Sequence, residues 1–398
     1  MNVRECALNC LQKIFFEDAY ANLVLKNELK DMVQNDKNLV TRIVYGTIQN
    51  YRLLRYQWEA MVKKLPDKRT CIILDMSTYQ LLMMDKLPAY AIINEANKLC
   101  KKSYKGLVNA ILHKVHKQGL IKANDPAIDY SLEPWLVKLF QAHYEQSEKI
   151  FEAFLQEAKV YGRINNLKCE HLPFNFLDET CFVGDNRLLN SDEFAQGMFI
   201  IQDYASQQVS KQLDLKPGLK VLDLCSAPGT KAYDMAFRMQ DQGSIIACDL
   251  YEHRVNLIKE RLITLGIHNI EAMVNDATIL NPDFIEAFDR VLIDAPCSGL
   301  GVLRRKADIK LKIKPENLDE IIALQAKILD IGSQYLKTDG VLVYSTCTLN
   351  KKENEKQVAA FLKTHPEFQL VHEEVILPFD HDGFYHAKLV KKAINVLK

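Results

Sequence analysis

The sequence predicts a doubly wound α/β domain in its C-terminal half, preceded by an all-helical domain and a small mixed subdomain. Three observations carry this. Over the last two hundred residues, short apolar runs of strand length alternate with amphipathic stretches of helix length, the pattern of parallel strands joined by crossover helices. Over residues 1–124, apolar residues recur at three- and four-residue spacing with few glycines, as packed helices require. Finally, two of the apolar runs, Val291-Leu-Ile-Asp-Ala-Pro-Cys297 and Val341-Leu-Val-Tyr-Ser-Thr-Cys347, each deliver a cysteine at their end. In an open parallel sheet ligands bind beyond the carboxyl ends of the strands, so a carboxylate and two thiols at such ends face a crevice.

Length and composition set the bounds. At 398 residues the chain exceeds what one hydrophobic core usually serves, and the expected domains are 1–125 (helical), 126–198 (mixed, linking) and 199–398 (α/β). No apolar run reaches the ~18 residues of a membrane span, and the N-terminus has no cleavage-site pattern. A cytoplasmic protein with no membrane association is therefore expected, and a monomer. Ten cysteines without CxxC pairs or regular spacing argue against a disulfide framework and against a zinc site, so no metal is expected. The net charge is zero, but residues 1–125 hold 20 Lys+Arg against 12 Asp+Glu. A basic module joined to an acidic one suggests an anionic partner for the first.

In order along the chain, Ala7, Leu8, Leu11, Ile14 and Phe15, then Leu39, Ile43, Val44 and Ile48, set helical faces. Pro66 and Pro88 fit starts or breaks between helices. Lys63-Lys64, Lys68-Arg69 and Lys101, Lys102 and Lys105 are candidates for gripping phosphate, and Ala123-Asn-Asp-Pro126 reads as a linker. Two short helices follow between Tyr130 and Glu157, then strand-like pieces near Arg163–Lys168, Phe182-Val183 and Gly197–Gln202. The main sheet has strand candidates at Leu219–Leu224, Ser244–Cys248, Ile270–Val274, Arg290–Ile293 and Gly340–Tyr344. Its helices are expected at Lys231–Met239, His253–Leu265, Leu318–Leu336 and Lys352–Lys363.

After the first of these strands comes Asp223-Leu-Cys-Ser-Ala-Pro-Gly-Thr-Lys231, a turn into a helix. One glycine, Gly229, lets backbone approach a ligand. The G-x-G-x-x-G of a dinucleotide site is absent, so a nucleoside without phosphates fits better than NAD. Asp249, twenty residues after Gly229, is placed for ribose hydroxyls, and Asp276 for the adenine edge. An aspartate after a strand often only caps the next helix, but acidic residues after strands one to four at one rim point to S-adenosylmethionine.

VLDLCSAPGTK, IDAPCSGLGVLRRKADIK and YSTCTLNKKENEKQV resemble the motifs of the RNA cytosine-5 methyltransferases, specifically the bacterial small-subunit ribosomal RNA methyltransferase B (Sun/Fmu) family. Residues 1–124 are similar to the helical domain related to the NusB antitermination factor, and Ile201–Gln207 and Asp382–Tyr385 look like further landmarks. The resemblance implies a Rossmann-like class I S-adenosylmethionine-dependent methyltransferase domain behind a NusB-like RNA-binding one. It places the cofactor on Cys225, Ser226, Ala227, Pro228, Gly229, Thr230 and Lys231, with Asp249, Arg254, Asp276 and Asp294. Two positions depart from the family pattern: Thr230 stands where a second glycine is usual, and Ala307 where proline is common.

The chemistry so implied is methylation of cytosine carbon 5 in 16S ribosomal RNA. Carbon 5 is a poor nucleophile until a thiolate adds to carbon 6. By the family pattern Cys347 attacks and Cys297 assists product release, while Asp294 hydrogen-bonds the base near N3 and must be protonated at some stage. A free thiol titrates near ~8.5, so Cys347 needs a cation, for which Lys231 is a candidate. Arg304, Arg305 and Lys306, with Lys310, Lys312 and Lys314, are expected to supply cations for RNA beside the pocket. Methylation of transfer RNA, or a non-catalytic RNA-binding assembly factor, are the alternatives.

Overall fold

The computed structural model describes residues 2–85 and 87–393; the extreme ends of the expected first and third domains lie outside the described residues. The chain divides into two compact units, Met1–Gln156 with Leu303–Ile313, and Glu157–Val302 with Lys314–Lys398.

The first unit is helical among its described residues: α1 (Val3–Phe16), α2 (Ala21–Glu28), α3 (Gln34–Gln49), α4 (Tyr51–Glu59), α5 (Lys68–Met83), α6 (Ala89–Leu99), α7 (Lys105–Gln118), α8 (Pro126–Asp129), α9 (Pro134–His143) and α10 (Ser147–Leu155). Helix starts are set by side-chain caps. Asn2 accepts from the Arg4 amide and Asp67 from the Thr70 amide, each satisfying a donor the helix leaves free. The segment expected to be a linker supplies a third cap, because Asp125 accepts from the Ala127 amide with Pro126 at the first turn. The apolar faces of α1, α3 and α7 close on α5, whose residues from Thr70 to Gln80 are all buried.

The second unit opens with a four-stranded antiparallel sheet, ordered β2-β3-β1-β4, of β1 (Val160–Ile164), β2 (Asn175–Phe176), β3 (Cys181–Gly184) and β4 (Phe199–Ile201). After α11 (Asp192–Ala195) comes α12 (Tyr204–Lys211). The Ile201–Gln207 landmark acts here: Asp203 caps α12 through the Ala205 amide, and the buried Gln207 amide donates to the Gln202 carbonyl at 2.9 Å.

The main sheet then builds through β5 (Lys220–Asp223), α13 (Thr230–Arg238), β6 (Ser244–Asp249), α14 (Glu252–Leu265), β7 (Ile270–Val274) and β8 (Phe288–Asp294). At Val302 the chain leaves this unit, contributes Leu303–Ile313 with α15 (Ile309–Lys312) to the first, and returns at Lys314. It continues as α16 (Pro315–Gln334), β9 (Leu336–Thr346), α17 (Glu355–Thr364), β10 (Phe368–Ile376) and β11 (Phe384–Lys391). Strand order is β10-β11-β9-β8-β5-β6-β7, parallel from β9 to β7 and antiparallel for β11 and β10. Val221, Leu222, Val291, Leu292, Ile293, Leu342 and Val343 are fully buried, as strands covered on both faces must be. Helix α16 packs close because Gly332 has no side chain; a Cβ there would stand 2.6 Å from Ile293 Cδ1. The order reverses between β5 and β8, so a crevice opens beyond their carboxyl ends.

The α/β domain behind a helical front is as expected, and all five strand candidates form. Two differences stand out. The closing hairpin β10–β11 adds two antiparallel strands that the apolar runs did not announce. Helix α16 ends at Gln334, and β9 already starts at Leu336.

Candidate functional site

The candidate residues stand at or beyond the carboxyl ends of β5 to β9. The loop after β5 runs from Leu224 to Gly229, where the backbone turns left-handed (φ 102°) before α13. A Cβ at Gly229 would stand 2.7 Å from the Tyr233 ring, so glycine is required there. Thr230 starts α13 in ordinary helical backbone, so its departure from the family pattern does not alter the turn. The Ser226 amide donates to Cys248 O at 2.7 Å and the Gly229 amide to Ser226 O at 2.8 Å, anchoring the loop to the end of β6.

Asp249, at the end of β6, braces the same loop. Its Oδ2 accepts the Ala227 amide at 3.2 Å, and its Oδ1 faces Arg254 at 3.3 Å, while Arg254 also donates to Ala227 O at 2.9 Å. Asp276 turns its Oδ1 to the Thr278 amide and hydroxyl at 2.8 and 2.7 Å, a local turn that the sequence also allowed. The Thr278 hydroxyl bond, followed by that of the amide, lowers the Asp276 pKa.

Asp223 is fully buried behind the loop, and neither carboxylate oxygen has a partner of good hydrogen-bond geometry. Burial raises its pKa to about 7, with the Asp294 charge adding to the rise and the Ser226 hydroxyl opposing it. An unfolded aspartate titrates near ~3.9, so between these values the folded chain holds a proton that the unfolded chain has lost. Stability therefore falls as pH rises from about 4 through about 7, and the full penalty applies above that. Asp223→Asn removes this slope: urea denaturation of the ligand-free protein should show wild type losing up to about 4 kcal/mol relative to the variant across that window. Parallel pH profiles would contradict the assignment.

The thiols converge. Cys297 Sγ lies 3.3 Å from Cys347 Sγ, one following β8 and the other β9, and both are half-buried. The hydrogen bond to Cys347, then burial, then charge on Cys347 and Glu353 push the Cys297 thiol well up. Beside them Lys231 Nζ sits 2.6 Å from Asp294 Oδ2, and the Ser345 hydroxyl donates to Asp294 Oδ1 at 2.8 Å. Burial alone would lower the Lys231 ammonium, but Asp294 outweighs it, with Cys347 adding to the rise, and the net shift is upward. The arrangement offers a thiol pair able to share one proton and a carboxylate held by a cation.

What holds the two cysteine loops together is Glu353, which the sequence reading passed over. Fully buried, it accepts from the Ser298 amide (2.9 Å) and hydroxyl (2.5 Å), from Asn350 Nδ2 (3.1 Å) and from Gln325 Nε2 (3.0 Å). Asn354 grips both neighbours of Cys347, accepting from the Thr346 hydroxyl at 2.6 Å and donating to Thr348 O at 2.9 Å. Gly301 closes the join: its amide donates to Cys347 O at 3.0 Å, and a Cβ on it would lie 2.0 Å from Gly383 O. The one signal in the sequence was Asn350, Glu353 and Asn354 following the cysteine at short spacing.

The expected run of cations is only partly a surface. Lys310 is buried in the helical unit, where its Nζ donates to Gln49 O at 2.6 Å and burial lowers its pKa to about 7. Lys312 donates to the Asp18 backbone and carboxylate there, and Lys314 caps α16. Lys310 and Lys312 are corrected from RNA cations to packing groups, since their bonds to Gln49 and Asp18, with buried Ala307, help to seat Leu303–Ile313 in that unit, whereas the Lys314 side chain is exposed. Arg304 and Arg305 are half-buried and Lys306 is exposed. Of the early clusters, Lys101 pairs with Asp67 at 2.9 Å and Lys68 covers the Phe16 ring at 5.0 Å.

The family described as 16S rRNA methyltransferase RsmB/F matches residues 210–390, and the NusB family matches residues 1–117. The Bacillus subtilis (strain 168) protein named "Probable ribosomal RNA small subunit methyltransferase B" is 35% identical over 96% of this chain and 94% of its own length. Among solved structures, that of PH0851 superposes with a TM-score of 0.80 at 22% identity, over 98% of this chain and 99% of that one. NSun6 from Pyrococcus horikoshii, solved with SFG, gives 0.57 at 20% identity over 66% of this chain and 98% of that one.

Proposed function

The chain belongs to the 16S rRNA methyltransferase RsmB/F family, and on that premise we propose that it methylates carbon 5 of a cytosine in small-subunit ribosomal RNA through a covalent cysteine adduct. The observation that carries this reading is the 3.3 Å approach of Cys297 and Cys347 beside the Lys231–Asp294 pair. The enzyme is S-adenosylmethionine-dependent, and the bound cofactor supplies an electrophilic methyl group. The residues present fit it: the orphaned Asp223 carboxylate suits a ligand bearing ammonium and sulfonium charge, and Gly229 keeps the cradle open. Cys225 to Lys231, Asp249 with Arg254, Asp276 and Asp294 would hold it.

Cys347 adds as thiolate to carbon 6, and carbon 5 becomes nucleophilic. Asp294 meets the N3 edge of the base, and Lys231 Nζ, 2.6 Å from its Oδ2, holds the carboxylate in place beside it. Cys297 keeps its proton while Cys347 is anionic, because the hydrogen bond to Cys347 and the charge on it are among the causes raising its pKa. Both vanish once Cys347 is bonded to carbon. Cys297 is thereby freed to lose its own proton to solvent and, as thiolate, to take the proton from carbon 5, after which Cys347 is expelled as thiolate.

The basic helical domain, residues 1–125, with Arg304, Arg305 and Lys306, grips RNA phosphates, and the target cytosine is one displaced from its stack. Among the described residues no helix is long and apolar enough to cross a membrane. Incubating the protein with 16S ribosomal RNA and labelled cofactor, followed by nucleoside mass spectrometry, is expected to yield 5-methylcytidine. Label on N4, on ribose or only on transfer RNA would overturn the reading.

A further inference from the structure

The closing hairpin carries a cluster that the methyl-transfer chemistry does not use. Glu374 on β10 stands directly across from His386 on β11, and His372 lies two residues earlier on the same face of β10. His386 is fully buried, yet neither of its ring nitrogens has a hydrogen-bond partner. Its Nε2 is 3.6 Å from Glu374 Oε2, and His372 Nε2 is 3.8 Å from the same oxygen. One donor atom from each of the three residues lies within 4.8 Å of the others.

Leaving a buried polar group without a partner is costly, so an orphaned imidazole pointing at a carboxylate calls for a partner. In a tetrahedral zinc site with bonds of about 2.0–2.2 Å the ligand atoms stand roughly 3.3 Å apart; the two histidine–carboxylate spacings here need to close by only a few tenths of an ångström, and the two imidazole nitrogens already lie within 4.8 Å of each other. The exposed sides of His372 and Glu374 leave an entry path and room for water as fourth ligand. We propose that His372, Glu374 and His386 bind a divalent transition-metal ion, zinc being the best match to two imidazoles and one carboxylate. The ion clasps the edge strand β10 to β11, whose preceding residue Gly383 donates its amide to Gly301 O at 2.8 Å, behind the cysteine loops.

The test uses the full-length chain stripped of metal and titrated with Co²⁺, then with competing Zn²⁺, followed by visible absorption and thermal unfolding. The expected result is one equivalent of tetrahedral Co²⁺ without a thiolate charge-transfer band, displaced by Zn²⁺, with a higher melting temperature. His372→Ala and Glu374→Gln change exposed positions that the fold tolerates, and each should weaken binding by at least the 10–100-fold typical of losing a mere supporting contact. No Co²⁺ bound, Co²⁺ bound through thiolate, or unchanged affinity in both variants would each overturn the proposal.

Discussion

Cys347→Ala is expected to abolish methylation, by about four orders of magnitude or more, whereas Cys297→Ala should leave RNA attached to the protein through denaturation. The asymmetry follows from the shared proton. With the sulfurs 3.3 Å apart, Cys297 is the member held protonated, by its hydrogen bond to Cys347 first and by burial second. Removing Cys347 removes the nucleophile. Removing Cys297 leaves a nucleophile that can add to carbon 6, but no base close enough to take the proton from carbon 5, so the adduct persists. Denaturing gels with labelled RNA distinguish the two: a shifted band for Cys297→Ala, none for Cys347→Ala, none for the double variant. Turnover by Cys347→Ala, or an adduct that survives in it, would exchange the two roles.

Much of this site was legible because it rests on strands buried on both faces, which announce themselves as apolar runs. The strands holding Val291–Ile293 and Val341–Tyr344 end at Asp294 and Thr346, within two residues of their apolar runs, so the cysteines that follow emerge at one rim. Hairpin strand β10 was not legible, because an edge strand carrying Val371, His372, Glu373 and Glu374 on exposed positions reads as polar surface. Lys310 was misjudged for a related reason. A lysine among lysines looks solvated until packing across 261 residues of sequence brings the Gln49 carbonyl to its ammonium. Glu353 sits in a run of lysines, asparagines and glutamates that has every mark of a solvated helix start, and Ser298 and Gln325, 55 and 28 residues earlier in the chain, meet it only in the fold.

Glu353→Ala should then cost more than any other change outside the reacting groups. Four buried donors, on Ser298 (two), Asn350 and Gln325, converge on this carboxylate. Each left unsatisfied carries about 1–3 kcal/mol, and because neighbours in a network do not add, a total of about 4 kcal/mol is expected in urea denaturation. Glu353→Gln separates stability from positioning. It keeps one acceptor but turns an amide NH₂ toward the Gln325 or Asn350 amide, so the fold should survive while Ser298 and Thr348 shift. Since the cofactor loop is braced independently by Asp249 and Arg254, cofactor affinity in Glu353→Gln should match wild type while kcat falls at least about ten-fold, in keeping with misplacement of one reacting sulfur. An unchanged kcat in a folded Glu353→Gln protein would reduce Glu353 to a packing group, and a fall in cofactor affinity equal to the fall in kcat would show that the two loops do not stand apart.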